Sequence, residues 1–357
     1  MKNCDDSIFN NLEKNISVVV QGPILPFQTA ICLKSIRKFL PKAEIILSTW
    51  EGSNINDLDY DVLVLNKDPG AEIFTVTGQL QNQNRQIVSA KEGIKKASRL
   101  YVLKIRSDME LKGTKFLSFW KKYPMRSEEC KVLSERILIN SLYTRRPIST
   151  KPFLFHPSDW VMFGLKKDVL NVWDIPLAPE PQTSQYFKVH KNMKYDGNCL
   201  TQYHAEQYIW LSFLRKNGFQ INYENYMIFS KELMDFSRLS IVNNTVLLEY
   251  ITEFDIVSQK HPEQMGDSET MHPIDWMIDY KKFCDPTFYI SWDSVKKGIL
   301  QTTGTSLRLR KHIHKFFERC KQLNPQCIED CVAVIYCFLK LQFNCLYAYL
   351  KYNKTIF

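Results

Sequence analysis

The first hundred residues alternate between short runs of consecutive apolar side chains and longer stretches where apolar residues recur every three or four positions. Residues 16–20 are a β-branched run stopped by Gln21-Gly22-Pro23, which predicts a buried strand ending in a turn. Residues 29–40 place Ala30, Leu33, Ile36, Phe39 and Leu40 at helical spacing and halt at Pro41. Residues 44–48 and 61–65 are two more strand-like runs, the second closed by Asn66, Asp68, Pro69 and Gly70. Residues 71–81 carry no period and are expected to form a loop. Residues 84–98 are helical, with Ile87, Ala90, Ile94 and Ala97 on one face, and residues 101–105 are a fourth strand leading into Arg106-Ser107-Asp108.

Strands that are apolar throughout, alternating with helices, predict a parallel sheet covered on both faces. Such sheets take ligands at the carboxyl ends of their strands, which directs attention to the residues just named after each run. Neither G-x-G-x-x-G nor G-x-x-x-x-G-K-[ST] occurs, which speaks against a dinucleotide fingerprint and a P-loop.

The pattern then becomes mixed. Residues 131–139 and 158–165 read as strands, 168–173 as a short helix, and Pro176, Pro179 and Pro181 as a loop. Residues 205–216 are a helix stopped by Asn217-Gly218. Residues 219–223 predict a strand, 244–257 a helix, and 258–292, with His261 and His272, an irregular stretch. The chain reads as α/β with a central mixed sheet, in three parts: 1–125, a ligand-binding half; 126–295, continuous with it; and 296–357, a helical extension.

Composition changes this picture only at the end of the chain. With 45% hydrophobic and 24% charged residues, global disorder is excluded. The net charge is +9, and residues 296–357 hold eleven lysines and arginines against three acids. Arg308, Arg310, Lys311, Lys315, Arg319 and Lys321 precede the apolar stretch 331–350, which Lys340, Gln342 and Asn344 interrupt. That interruption argues against a spanning helix and for an element at a membrane interface. A helix pair that covers the core or mediates oligomer contacts is the alternative. Nucleic acid is not an expected partner, because aromatics do not interleave the basic run. The 10 cysteines contain no C-x-x-C, and Met1 to Lys14 is polar and acidic, unlike a secretory signal. The expectation is reduced, buried thiols in a cytoplasmic protein.

Several side chains carry candidate chemistry. Asp108, at a strand's carboxyl end, suits a hard Mg²⁺ or Mn²⁺ ion bridging to phosphate oxygens, or caps the following turn. Arg85 and Arg106 suit bidentate capture of phosphate, or surface ion pairs. Glu206, in a first helical turn, is either a general base on a rigid element or a dipole partner. Asp159, beside Trp160, suits sugar hydroxyls or a turn. His204 reads as a helix cap or a core histidine.

These residues resemble the WavE lipopolysaccharide-synthesis family. The resemblance is carried by the runs ISVVVQGP from Ile16, IILSTW from Ile45, LNKDPG from Leu65 and NRQ from Asn84. It continues through KIRSD from Lys104, SDW from Ser158 with Phe163-Gly164, and EQY from Glu206, spanning about 15 to 230. It implies a GT-A-type glycosyltransferase, with 1–125 binding a nucleotide-sugar and 126–295 the acceptor. The D-x-D motif of such enzymes reads Arg106-Ser107-Asp108 here, with only its last acid, so Asp108 would hold the metal. The resemblance assigns the donor to Gln21, Gly22, Pro23, Trp50, Asn84, Arg85, Arg106 and Ser107, and the general base to Glu206, with Asp159 as the second candidate acid. It implies an inverting transfer to a glycan or glycolipid acceptor at the inner face of a bacterial membrane. A nucleotide-activated phosphoalcohol transferase and a non-catalytic assembly protein are the alternatives.

Overall fold

A computed structural model describes residues 12–148, 152–259, 269–291, 293–294 and 297. Its centre is a seven-stranded sheet. Strand β1 is Ile16–Gln21, followed by helix α1 (Gln28–Phe39), β2 (Glu44–Trp50) and β3 (Val62–Asn66). A small antiparallel hairpin, β4 (Glu72–Ile73) and β5 (Leu80–Gln81), precedes α2 (Gln83–Lys96), β6 (Tyr101–Arg106) and β7 (Met109–Leu111). Then come β8 (Ile137–Asn140), β9 (Val161–Leu165), α3 (Lys166–Trp173), α4 (Tyr186–Val189) and α5 (Ala205–Lys216). The described elements end with α6 (Lys231–Asn244), β10 (Thr245–Leu248), β11 (Ile256–Ser258) and α7 (Pro273–Phe283).

The sheet order is β10-β8-β9-β6-β1-β2-β3. Six strands run parallel, and β9 alone runs against its neighbours β6 and β8. The expected α/β class with a mixed central sheet is therefore what the chain forms, and it is consistent with a Rossmann-like fold. Every residue of β1 and β8 is buried, as expected of strands made mostly of Ile, Val and Leu in a sheet covered on both faces. The order doubles back at β1: β2 lies on one side of it and β6 on the other. Right-handed crossovers then put α1 and α2 on opposite faces and open a crevice at the carboxyl ends of β1 and β6.

Helix α2 comes unusually close to the sheet. A Cβ on Gly93 would lie 2.5 Å from Val19 Cγ1 and 2.9 Å from Ser48 Cβ, so only glycine fits there. On the other face Phe163 packs against Tyr101, Phe116 and Trp120.

Four expectations are corrected. Residues 71–81 are not wholly loop, because Ile73 and Leu80 pair in the hairpin. Residues 219–223 form no strand; Phe219 N–H bonds back to Leu214, and Tyr223 is buried between Phe155 and Tyr203 instead of joining the sheet. Residues 244–257 are not a helix. The helix lies before them, in α6, and Thr245–Leu248 pairs with Ile137–Asn140 because the parallel register with β8 satisfies the backbone of both. Within 258–292, which is therefore not wholly irregular, helix α7 forms behind a capping box made by His272 and Asp275, and His272 is a buried cap. The extension 296–357, except residue 297, and His261 lie outside the described residues. Among the described residues no helix is long and apolar enough to cross a membrane.

Candidate functional site

The carboxyl ends of β1, β2 and β6 open into a pocket of about 400 Å³. Gln21, Gly22, Pro23, Trp50, Arg85, Arg106, Ser107 and Asp108 line it. Its shape is set by the backbone after β1. Gly22 has φ +124°, a conformation that side-chain-bearing residues rarely adopt, and a Cβ there would lie 3.1 Å from Ser107 Oγ. Ser107 fixes the same turn: its N–H donates to Gln21 O (3.0 Å) and its hydroxyl to Pro23 O (2.7 Å). The Gln21 side chain is held by the Ser89 hydroxyl of α2 at 2.6 Å.

Two arginine–aspartate forks face this pocket. Arg85 Nε and Nη2 donate to the two oxygens of Asp68 at 2.7 and 2.6 Å. Arg106 Nε and Nη2 do the same to Asp108 at 2.9 and 2.6 Å. The guanidinium of Arg106 also stacks 4.0 Å over the Trp160 ring. Both oxygens of Asp108 are thus engaged by a cation, and no three His, Cys, Asp or Glu side chains cluster as metal ligands among the described residues. Asn84 is not on the pocket wall. Its amide exchanges two hydrogen bonds with the backbone of Ala178, tying the start of α2 to the proline-containing loop.

Because β9 runs antiparallel, its entry residues Ser158, Asp159 and Trp160 arrive at the edge where β6 ends. Asp159 is buried, and neither carboxylate oxygen has a hydrogen-bond partner among the described residues. Burial raises its pKa, with the neighbouring Glu206 carboxylate adding to the effect. Glu206 enters from the first turn of α5, where His204 is the N-cap and Gln207 completes a capping box. Its carboxylate lies 3.6 Å from His156 Nε2, and its side chain is 15% exposed, so it is the more accessible of the two acids. Burial raises the Glu206 pKa as well. Burial likewise lowers His156 and His204 to about 3, so both are neutral at physiological pH.

The chain therefore brings together two groups named from the sequence. One is the pocket set, all of the expected donor residues except Asn84, with Asp108 among them. The other is the carboxylate pair Asp159 and Glu206, which does not line the pocket but lies within electrostatic reach of Arg106. Asp68 lies among the strand-end residues named from the sequence, whereas two participants, His156 and Lys104, were not among the candidates. Lys104 carried a signal, since a lysine inside the run YVLKI has no solvent-facing place on a strand buried on both faces.

Compared with known families, residues 16–309 match the model of the family described as WavE lipopolysaccharide synthesis. No curated protein matches the chain.

Proposed function

The chain belongs to the WavE lipopolysaccharide synthesis family, and from that membership we propose that it is a GT-A-type glycosyltransferase. It transfers a sugar from a nucleotide-sugar to a glycan or glycolipid acceptor in lipopolysaccharide synthesis. The observation that carries this reading is the pair of guanidinium forks in a crevice at the sheet's carboxyl edge, with a largely buried carboxylate, Glu206, within electrostatic reach of Arg106.

In this mechanism the nucleotide lies against the turn Gln21-Gly22-Pro23 and Trp50. Arg85 exchanges its carboxylate partner for the diphosphate, whose oxygens match a planar fork, while Arg106 stays paired with Asp108 and turns its remaining N–H groups and positive charge toward it. A Mg²⁺ or Mn²⁺ ion held by Asp108 does not fit this donor set, because the Arg106 fork takes both of its oxygens. No step is therefore routed through a metal. Glu206 accepts the proton of the acceptor hydroxyl as that oxygen attacks the anomeric carbon from the face opposite the leaving diphosphate. Asp159 is the second, buried carboxylate of the site, within electrostatic reach of Glu206.

The test is a panel of nucleotide-sugars and a nucleotide-activated alcohol incubated with the full chain, reading the released nucleotide and saturation-transfer contacts. Nucleoside diphosphate release supports the reading. Monophosphate release points to phosphoalcohol transfer, and no binding of any nucleotide points to a non-catalytic assembly protein.

A further inference from the structure

Lysine is almost never fully buried unless it is paired. Lys104, the fourth residue of β6, is 0% exposed. Register places it opposite Val19 of β1, on the sheet face that α2 and α3 cover. Its ammonium donates to the main-chain oxygen of Asp159, lies 3.4 Å from the Trp160 carbonyl, and sits 4.4 Å over the ring of Trp173 in α3. Neutral carbonyls and a π face hold this cation in place but do not balance its charge.

The charges around it can be counted. Arg106 and Asp108 satisfy each other in their fork. His156 and His204 are neutral, and Arg145 acts on Glu206. With Arg145 set against Glu206, Lys104 is the cation that touches Asp159 itself, whose carboxylate oxygens are buried without a hydrogen-bond donor among the described residues. A buried carboxylate in that situation needs a nearby countercharge.

We propose that Lys104 is a positioning residue for the base: its ammonium is the fixed countercharge of Asp159, so the proton released by the acceptor settles on Glu206. This inference rests on the reading of Glu206 as the base. As the acceptor O–H bond breaks, its electron pair forms the bond to the anomeric carbon. The bond from that carbon to phosphate breaks with its pair on the leaving diphosphate, and the proton goes to Glu206. Counting Arg145 with Lys104, Asp159 and Glu206, the net charge passes from 0 to +1 as Glu206 takes the proton, while the Lys104–Asp159 pair is untouched. Burial lowers the Lys104 pKa, and Asp159 is the first of the carboxylates that oppose this.

The experiment is a ¹³C NMR titration of the aspartate and glutamate carboxylates in the full chain, assigned with Asp159→Asn and Glu206→Gln. In the parent, Asp159 should titrate below Glu206. In Lys104→Met the Asp159 midpoint should rise by about one pH unit or more, the scale of losing a close opposite charge. The kcat/KM acid limb should shift with it, whereas a purely structural role would lower turnover equally at every pH. An Asp159 midpoint above that of Glu206 in the parent overturns the proposal even if Lys104→Met does not fold. So does an unmoved midpoint in a folded Lys104→Met. These titrations need no turnover, so they fail independently of the base assignment, which Glu206→Gln kinetics decide.

Discussion

Arg106 and Asp108, separated by one serine at the end of β6, close a bidentate ion pair of 2.9 and 2.6 Å on the pocket wall. The fork is held from the other side by Trp160, so it cannot swing freely into solvent. A site prepared in this way meets a diphosphate with a guanidinium already in place.

Arg106→Met should therefore weaken nucleoside diphosphate binding by about 10-fold or more, the loss expected for hydrogen bonds to a charged group at roughly 1.5–3 kcal/mol. Arg106→Lys should recover only part of it, because a point charge lacks the fork. Titration calorimetry with EDTA present should give the same affinity as with Mg²⁺. A strict metal requirement would return Asp108 to the role of ligand.

Glu206→Gln keeps size and capping but cannot take a proton. It should lower kcat by about 10²-fold or more with little change in donor affinity. Because burial raises the Glu206 pKa, the base is lost at higher pH than for an exposed glutamate. The acid limb of kcat should thus lie above the ordinary glutamate value of about 4.3. A variant within about threefold of the parent would remove Glu206 from the mechanism and leave Asp159 to be tested.

Stability should respond to the two neutral histidines. Burial holds His156 and His204 at about 3, whereas unfolded histidine titrates near 6.5. Between those values the unfolded chain takes up protons that the folded chain does not, so this contribution is present above about 6.5 and is lost as the pH falls. His204→Ser keeps a capping oxygen, and it should reduce the slope of unfolding free energy by about 1.4 kcal/mol per pH unit within that window. Urea unfolding at stepped pH measures this as a difference from the parent, in which Asp159 and Glu206 contribute with the opposite sign.

Gly93→Ala tests the seat of α2. The added carbon meets Val19 and Ser48 inside van der Waals contact, so the helix must shift outward. The cost should be about 1–3 kcal/mol, as for other overpacked cores. Because α2 also carries Arg85 and Ser89, diphosphate affinity should fall in the folded fraction, whereas a tolerated Gly93→Ala would show that α2 has slack.

The sequence by itself determined the elements that rest on local pattern. β1, β2 and β6 are runs too apolar to lie anywhere but in a buried sheet, β3 is a similar run that pairs at the sheet's edge, and α5 was legible to the residue from its period and its Asn217-Gly218 stop. Because ligand sites follow strand ends in such sheets, the pocket residues from Gln21 to Asp108 were legible with them. Asn84 has the right neighbours in sequence, yet its amide is taken by Ala178. Only the tertiary structure decided the rest. Thr245–Leu248 is a strand because Ile137–Asn140 supplies its partner from more than a hundred residues away, and no local propensity encodes that pairing. The site's second half arises the same way. The reversal of β9 brings Asp159 against Lys104, and the start of α5 delivers Glu206 to His156. Charges so far apart in sequence acquire their protonation behaviour only where the fold removes water from between them.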